Sequence, residues 1–283
     1  MCDVYVTSGE AAFPARLHLI PDPPTRLWIR GKPSALPGTD VPSIALVGSR
    51  AASRDGLELS RRVADGLARA GVVIVSGLAR GVDGAAHAAT LEAGGRTIAV
   101  LGSGLARIYP AEHADLVGRI AVAGAVISES PPPTPPHAGL FPRRNRLIAG
   151  LADAVLIVEA PERSGALITA SAALDQGKDV MVLPGRVAGG RNRGGHLLIR
   201  DGAKLVESAD DILLEMGWRA LSGPPPGGAE PSDGVPFTVD DLSRQSGEPA
   251  SVVLARLLEW ELAGQVQRIG SARFVRVRGR MLT

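Results

Sequence analysis

The strongest constraint on this chain is a rhythm in its middle. Six short runs rich in valine and isoleucine occur at SIALVG (43–48), VVIVSG (72–77), TIAVLG (97–102), AVISE (125–129), AVLIVEA (154–160) and DVMVLPG (179–185). They are apolar almost throughout rather than at alternate positions. A strand of that kind is buried on both faces, as in a parallel sheet covered by helices. Between the runs lie segments of helical period, such as 56–70 and 83–94. The alternation predicts an α/β fold with a doubly wound, mostly parallel sheet of six or more strands. Ligands of such sheets bind beyond the carboxyl ends of the strands. Most of the runs end in glycine close to a helix start, where backbone N–H groups suit an anion.

The flanks divide the chain further. Residues 1–40 carry Pro14, Pro21, Pro23, Pro24, Pro33 and Pro37 and read as an extended arm packed on the core, 41–220. Residues 221–236 are a Pro/Gly linker by composition. Residues 237–283 form a small unit. In it 238–247 and 249–265 read as helices, with Val253, Leu257, Trp260 and Gly264 on one face, and 266–277 as a hairpin turning at Gly270-Ser271. Helix, helix, hairpin is a winged-helix-like order. The second helix sets Arg256 against Glu259 and Glu261, a poor reader of phosphate. The hairpin and tail carry Arg268, Arg273, Arg276, Arg278 and Arg280 without an acid, which makes the wing the better nucleic-acid contact.

Composition removes several classes. The 31 basic and 29 acidic residues sum to +2, which argues neither for nor against a polyanionic partner. Only Lys32, Lys178 and Lys204 of the basic residues are lysines, so the position of each arginine, the side chain that forks onto phosphate, carries the information. A lone cysteine, Cys2, rules out a disulfide framework and suits the reducing cytoplasm. The start, Met-Cys-Asp-Val, has no secretory pattern, and no apolar run reaches the ~18 residues of a membrane helix. His18, His87, His113, His137 and His196 are scattered and no CxxC occurs, so neither a metal nor a cofactor is expected. Three Trp, two Tyr and four Phe are too few for an extended base-stacking platform.

Four local motifs carry candidate chemistry, each with a plain structural alternative. VGSR (47–50) is either a phosphate clamp of Gly48, Ser49 and Arg50 or an ordinary strand–helix turn. It is not a dinucleotide fingerprint, because Arg50 and Ser53 stand where glycines would be needed. SGLARGVDGAAH (76–87) offers Arg80 to a phosphate. Its Asp83 and His87, four apart, are either an acid–base pair or a helix cap with a packed histidine. FPRRNR (141–146) places three arginines beside Phe141. That is either phosphate contacts with one stacked base, or a solvated cluster over a core phenylalanine. SGALITA (164–170) has Ser164 as a helix cap and Gly165 entering the helix, an open N-terminus suited to an anion. A Ser164 nucleophile lacks the G-x-S-x-G context and an assigned base.

Taken in order, VGSR, SGLARGVDGAAH, GSGLARIYP (102–110), SE (128–129), FPRRNR, SGALITA, PG (184–185) and LLIRDGA (197–203) resemble the DNA-processing protein A family, DprA or Smf. FPARLHLIPDPPTRLWIRG (13–31) resembles the arm before that family's core. The resemblance covers about residues 13–215 and the winged-helix-like tail. It implies an extended Rossmann-like domain that binds single-stranded DNA, protects incoming DNA in natural transformation and loads RecA recombinase on it. It also implies dimerisation through that domain and no enzymatic activity. Carried over by motif, the DNA site comprises Gly48, Ser49, Arg50, Arg80, Phe141, Arg144, Asn145, Arg146, Ser164 and Gly165. Secondary contacts are expected at Arg143, Arg268, Arg273 and Arg276. Three departures stand out. Only 12 residues precede Phe13, so the small helical domain of many members is expected to be absent or the chain start truncated. Gly194-Gly195-His196 replaces the usual Gly-Thr-Asn. A Pro/Gly stretch stands where a full winged helix has its first helix. Two alternatives differ in class: a nucleotide N-glycosidic hydrolase using Glu129 or Glu159, though its PGGxGTxxE-type motif is absent, and a winged-helix regulator with an α/β effector domain.

Overall fold

All six apolar runs become strands of one sheet. The structure is a computed structural model and describes residues 3–218, 234–246, 250–262, 265–270 and 273–276. It divides into two compact units, Met1–Leu221 and Ser222–Thr283. In the first, the predicted runs form β3 (Ser43–Val47), β4 (Val73–Ser76), β5 (Thr97–Leu101), β6 (Ala125–Ser128), β7 (Ala154–Ile157) and β8 (Asp179–Val182). Two strands precede them, β1 (Val4–Thr7) and β2 (Arg26–Gly31), and β9 (Lys204–Leu205) follows. The order is β1-β2-β6-β5-β4-β3-β7-β8-β9, parallel from β6 to β9.

Helices cover both faces: α1 (Arg54–Arg69), α2 (Val82–Glu92), α3 (Ala114–Ala123), α4 (Leu140–Leu151), α5 (Gly165–Asp175), α6 (Arg193–Arg200) and α7 (Ala209–Glu215). The reason for the apolar runs is visible in β3. Ala45 and Val47 pack with α4 and α5 residues such as Leu147 and Ala170, while Ile44 and Leu46 pack with Val63 and Leu67 of α1. A polar residue at any of these positions would be buried without a partner. Winding runs from β3 outward to β6 and then returns to place β7 beside β3. The crevice at that reversal, between the carboxyl ends of β3 and β7, is where such a sheet takes its ligand.

The arm differs from the expectation of a segment laid over the core. Its residues extend the sheet, β1 pairing antiparallel with β2, and β2 with β6 through Trp28↔Ser128. Leu27 and Ile29 are fully buried, so every second residue of β2 joins the core. Buried Arg16 fixes the intervening segment. It forks onto Asp153 (2.5 and 3.2 Å) and donates to the carbonyls of Gly38 (2.8 Å) and Val41 (2.9 Å).

In the second unit α8 (Val239–Ser246), α9 (Ala250–Leu262), β10 (Val266–Ile269) and β11 (Arg273–Arg276) follow the predicted helix, helix, hairpin order. Their core is Phe237, Leu242, Val253, Leu257, Val266 and Phe274. Phe237 exchanges two 2.9 Å backbone hydrogen bonds with Phe274, adding a third short edge to the hairpin. Most of the 221–236 linker, together with Gly264, Ser271, Arg278 and Arg280, lies outside the described residues. Among the described residues, no helix is long and apolar enough to cross a membrane.

Candidate nucleic-acid interface

Three strand-end loops interlock beneath the crevice. Ser49 donates its backbone N–H to the Glu159 carbonyl (2.7 Å), and Val82 donates to the Ser49 carbonyl (3.2 Å). Gly81, at φ +75°, lets the second loop pass against the first. A Cβ there would strike the Ser49 carbonyl and sit 2.9 Å from the Arg50 backbone. The Ser49 N–H is therefore spent inside the fold, and its hydroxyl accepts from Ala51 N–H (3.2 Å). Of the clamp read from VGSR, the exposed Arg50 side chain remains free for a ligand. It has no carboxylate partner among the described residues, and its guanidinium carbon lies 5.0 Å from the Phe141 ring centre.

Above these loops opens a cavity of about 690 Å³. Gly48, Ser49, Arg50, Phe141, Arg144, Asn145, Ser164 and Gly165 all line it. Ser164 caps α5, its hydroxyl accepting from Ala166 N–H (3.2 Å), and the space around Gly165 is open. Tyr109, 39% exposed, lies 5.7 Å from Phe141, ring centre to ring centre, and also lines the cavity. Neither this second aromatic, which belongs to the GSGLARIYP motif, nor His137, also on the cavity wall, carries a local spacing signal that marks it as a site residue.

The three arginines of FPRRNR go to three environments. Leu140 already begins α4, so each successive side chain turns about 100° around the helix axis. Arg143 is exposed. Arg144 is buried beneath the cavity, donating to the carbonyls of Gly77 (2.6 Å) and Val100 and to Asn145 Oδ1 (3.2 Å). A Cβ at Gly77 would meet its guanidinium at 2.6 Å, so the loop closes on it only as glycine. Burial pulls the Arg144 pKa down to about 10, opposed by the charge of Asp83. Asp83 is pushed up by burial and held by Arg144 and by the N–H groups of Ala79 (3.3 Å) and Gly77 (3.1 Å). Arg144 thus props the ends of β4 and β5. Asn145 spans to α5 through the Gly165 carbonyl (3.3 Å).

Arg146 and Arg80 do not line the cavity. Arg146 is bound to Asp22 (2.8 Å) and Glu129 (2.8 Å), tying α4 to the arm. Arg80, exposed, pairs with Glu112, whose carboxyl it holds below the usual range. Asp83 and His87 do not form an acid–base pair: the His87 Nδ1 bond goes to Thr97 Oγ1 (2.7 Å). Glu159, mostly buried, accepts from the Ser53 N–H (3.0 Å) and hydroxyl, and Glu129 from Arg146, so both carboxylates invoked for hydrolysis are held by the fold. Gly194 packs against the Ala160 and Pro161 carbonyls, and Gly195 against buried Asn192, which holds Ala160 N–H (3.0 Å) and the Leu183 carbonyl (3.0 Å), outside the cavity. On the hairpin, Arg268 meets Glu261 of α9 (3.6 Å) and stacks on Phe274 (5.1 Å), so the wing has an acid that its own stretch lacks. Arg273 is exposed at the end of β11, and Arg276 lies at the other end of that strand.

A parallel sheet with a ligand cavity at its reversal point, followed by a winged-helix unit, defines a Rossmann-like α/β protein with a C-terminal winged-helix domain. The comparisons place it further. The chain belongs to the DNA recombination-mediator protein A family, whose model matches residues 4–217, and the DprA winged helix domain matches residues 233–270. It is 40% identical to Protein Smf of Escherichia coli, over 96% of this chain and 77% of that protein. It is 44% identical to DNA processing protein DprA of Streptococcus pneumoniae, over 73% of this chain and 72% of that one. Among solved structures it is similar to DNA processing protein A of S. pneumoniae (TM-score 0.71, 42% identity, 75% of this chain and 74% of that one). It is also similar to that of Helicobacter pylori (TM-score 0.66, 30% identity, 75% and 95%), described for its unique single-stranded DNA binding mode.

Proposed function

We propose that this protein binds single-stranded DNA in the cavity at the ends of β3 and β7, protects it, and passes it to RecA recombinase during DNA uptake. It acts in the cytoplasm as a dimer joined through the Rossmann-like unit, by binding rather than by catalysis. The observation that carries the reading is the cavity rim, where the unpaired Arg50 lies over Phe141, itself beside Tyr109. A cation beside aromatic rings grips a phosphate and a base face together, and a base is free to enter only when it is unpaired. Arg80 and Arg146 stand outside that rim, and Arg268, Arg273 and Arg276 belong to the second unit. In this reading they serve as outer contacts or as struts of the fold.

Binding of labelled oligo-dT is expected to exceed binding of duplex of equal length and to fall steeply with salt. Arg50→Ala is expected to lower affinity about tenfold and to flatten the log–log salt slope by about 0.7, one single-strand phosphate contact. Equal binding of duplex would sink the reading. Release of free base from nucleotides would favour the hydrolase. Failure of the protein to stimulate RecA filament growth would remove the hand-over step, and a monomeric mass by light scattering would remove the dimer.

A further inference from the structure

A second cavity, of about 200 Å³, opens at the same edge of the sheet, over the ends of β5 and β6. The first turns of α4 divide it from the first. Phe141, Arg144, Asn145 and Ile148 line one cavity, at helical spacings of three, four and seven. Leu140, Arg143, Arg144 and Leu147 line the other at the same spacings, offset by one residue. The two cavities therefore occupy adjacent faces of one helix and share Arg144. Arg26 and Arg143 are the exposed cations of the second. Arg26 has no carboxylate partner among the described residues, and its guanidinium carbon sits 5.5 Å from the Trp28 ring centre, which orients it. Arg143 is 63% exposed and only 3.5 Å from Glu129, whose same oxygen takes a shorter bond from Arg146 (2.8 Å). One carboxylate so shared leaves the pocket cationic. No aromatic lines it, and it is smaller than the usual ~300 Å³ lower bound for an organic ligand, which suits a phosphate better than a base.

We propose that a single strand seated in the first cavity crosses the first turn of α4 and sets a backbone phosphate between Arg26 and Arg143. The inference rests on the single-strand reading above and adds a direction and a minimum length to it. A helix with its side chains is about 10–12 Å across. At about 3.4 Å or more per nucleotide, roughly three or four nucleotides bridge the two cavities.

The test uses the full chain and fluorescein-labelled oligo-dT of graded length, from three to twenty nucleotides, across a salt series. The double variant Arg26→Ala/Arg143→Ala is expected to bind the shortest oligonucleotides as the unmodified protein does. Beyond about six nucleotides it is expected to fall behind by about tenfold, with a salt slope flatter by about 0.7–1.4. Thermal melting of the variant at the unmodified temperature shows that the fold is intact. Equal binding by the two proteins at every length and salt would overturn the inference alone, and so would an equal loss at every length. Failure of the unmodified protein to bind any oligonucleotide would overturn the single-strand reading, and this inference with it.

Discussion

Arg144→Ala is expected to destabilise the Rossmann-like unit by about 3–5 kcal/mol, whereas Arg50→Ala leaves its stability within about 0.5 kcal/mol. Both arginines line the same cavity, but they do different jobs there. Removing Arg144 leaves Asp83 buried without its counter-charge and strips the carbonyls of Gly77 and Val100 of a donor. An uncompensated buried charge is the costly outcome, because desolvation has already been incurred and nothing offsets it. For a unit of this size each kcal/mol shifts Tm by about 2–4 °C, so a fall of order 10 °C is expected. Urea titration followed by far-UV circular dichroism measures it. Asp83→Asn in the Arg144→Ala background is expected to restore part of the loss, since the amide oxygen still accepts from Gly77 and Ala79 while the charge is gone. Unmodified stability of Arg144→Ala would contradict this account of the cavity floor. DNA-binding losses in Arg144 variants are for the same reason read against their folding, and Arg50 is the cleaner probe of contact.

Acid is expected to weaken the same unit through His87. The ring is fully buried between α2 and β5, and burial, followed by the charges of His113 and Arg144, lowers its pKa to about 3. Thr97 donates its hydroxyl hydrogen to the Ile74 carbonyl (2.8 Å) and so accepts from His87 Nδ1–H (2.7 Å). Nε2 has no partner. The folded chain holds His87 neutral down to about pH 3, while the unfolded chain protonates it below about pH 6.5. The unfolded state then binds the extra proton, so this contribution is complete above pH 6.5 and is lost as pH falls toward 3. The slope is about 1.4 kcal/mol per pH unit, or roughly 2.7 kcal/mol between pH 6.5 and 4.5. His87→Gln changes the absolute stability for reasons of packing. The quantity to compare is the pH dependence, which is expected to be flatter in the variant by that amount in urea titrations at pH 7 and 4.5. Parallel curves would contradict the assignment of a neutral, buried His87.

The sheet was legible because strands buried on both faces leave a continuous apolar record, and SIALVG or AVLIV can be little else. The glycines after those strands located the cavity for a related reason, since the chain can turn sharply there only where side chains are absent. Two things were harder to see. In the arm, β2 lies between β1 and β6, Leu27 and Ile29 alternate there with Arg26, Trp28 and Arg30, and the prolines around it suggest a wrapping segment. In FPRRNR, adjacent arginines look equivalent in one dimension. Starting the helix at Leu140 rather than after the motif sends Arg143 to solvent, Arg144 under the sheet ends and Arg146 to Asp22 and Glu129. Partners as far away as Gly77, 67 residues from Arg144, and Asp22, 124 residues from Arg146, decide which arginine is free, and local spacing carries no trace of them. Tyr109 shows the same limit: it reaches Phe141 from another strand-end loop, 32 positions earlier in the chain.

The central claim, that a single strand lies in the cavity between β3 and β7, is tested most directly by photo-cross-linking. An oligonucleotide carrying 5-iodouracil is irradiated with the full chain, and the linked peptides are mapped by mass spectrometry. The account predicts cross-links at Phe141 and Tyr109, on the cavity rim, and their loss in Arg50→Ala at a salt concentration where the unmodified protein still binds. Cross-links confined to the winged-helix unit, with none at Phe141 or Tyr109, would contradict it.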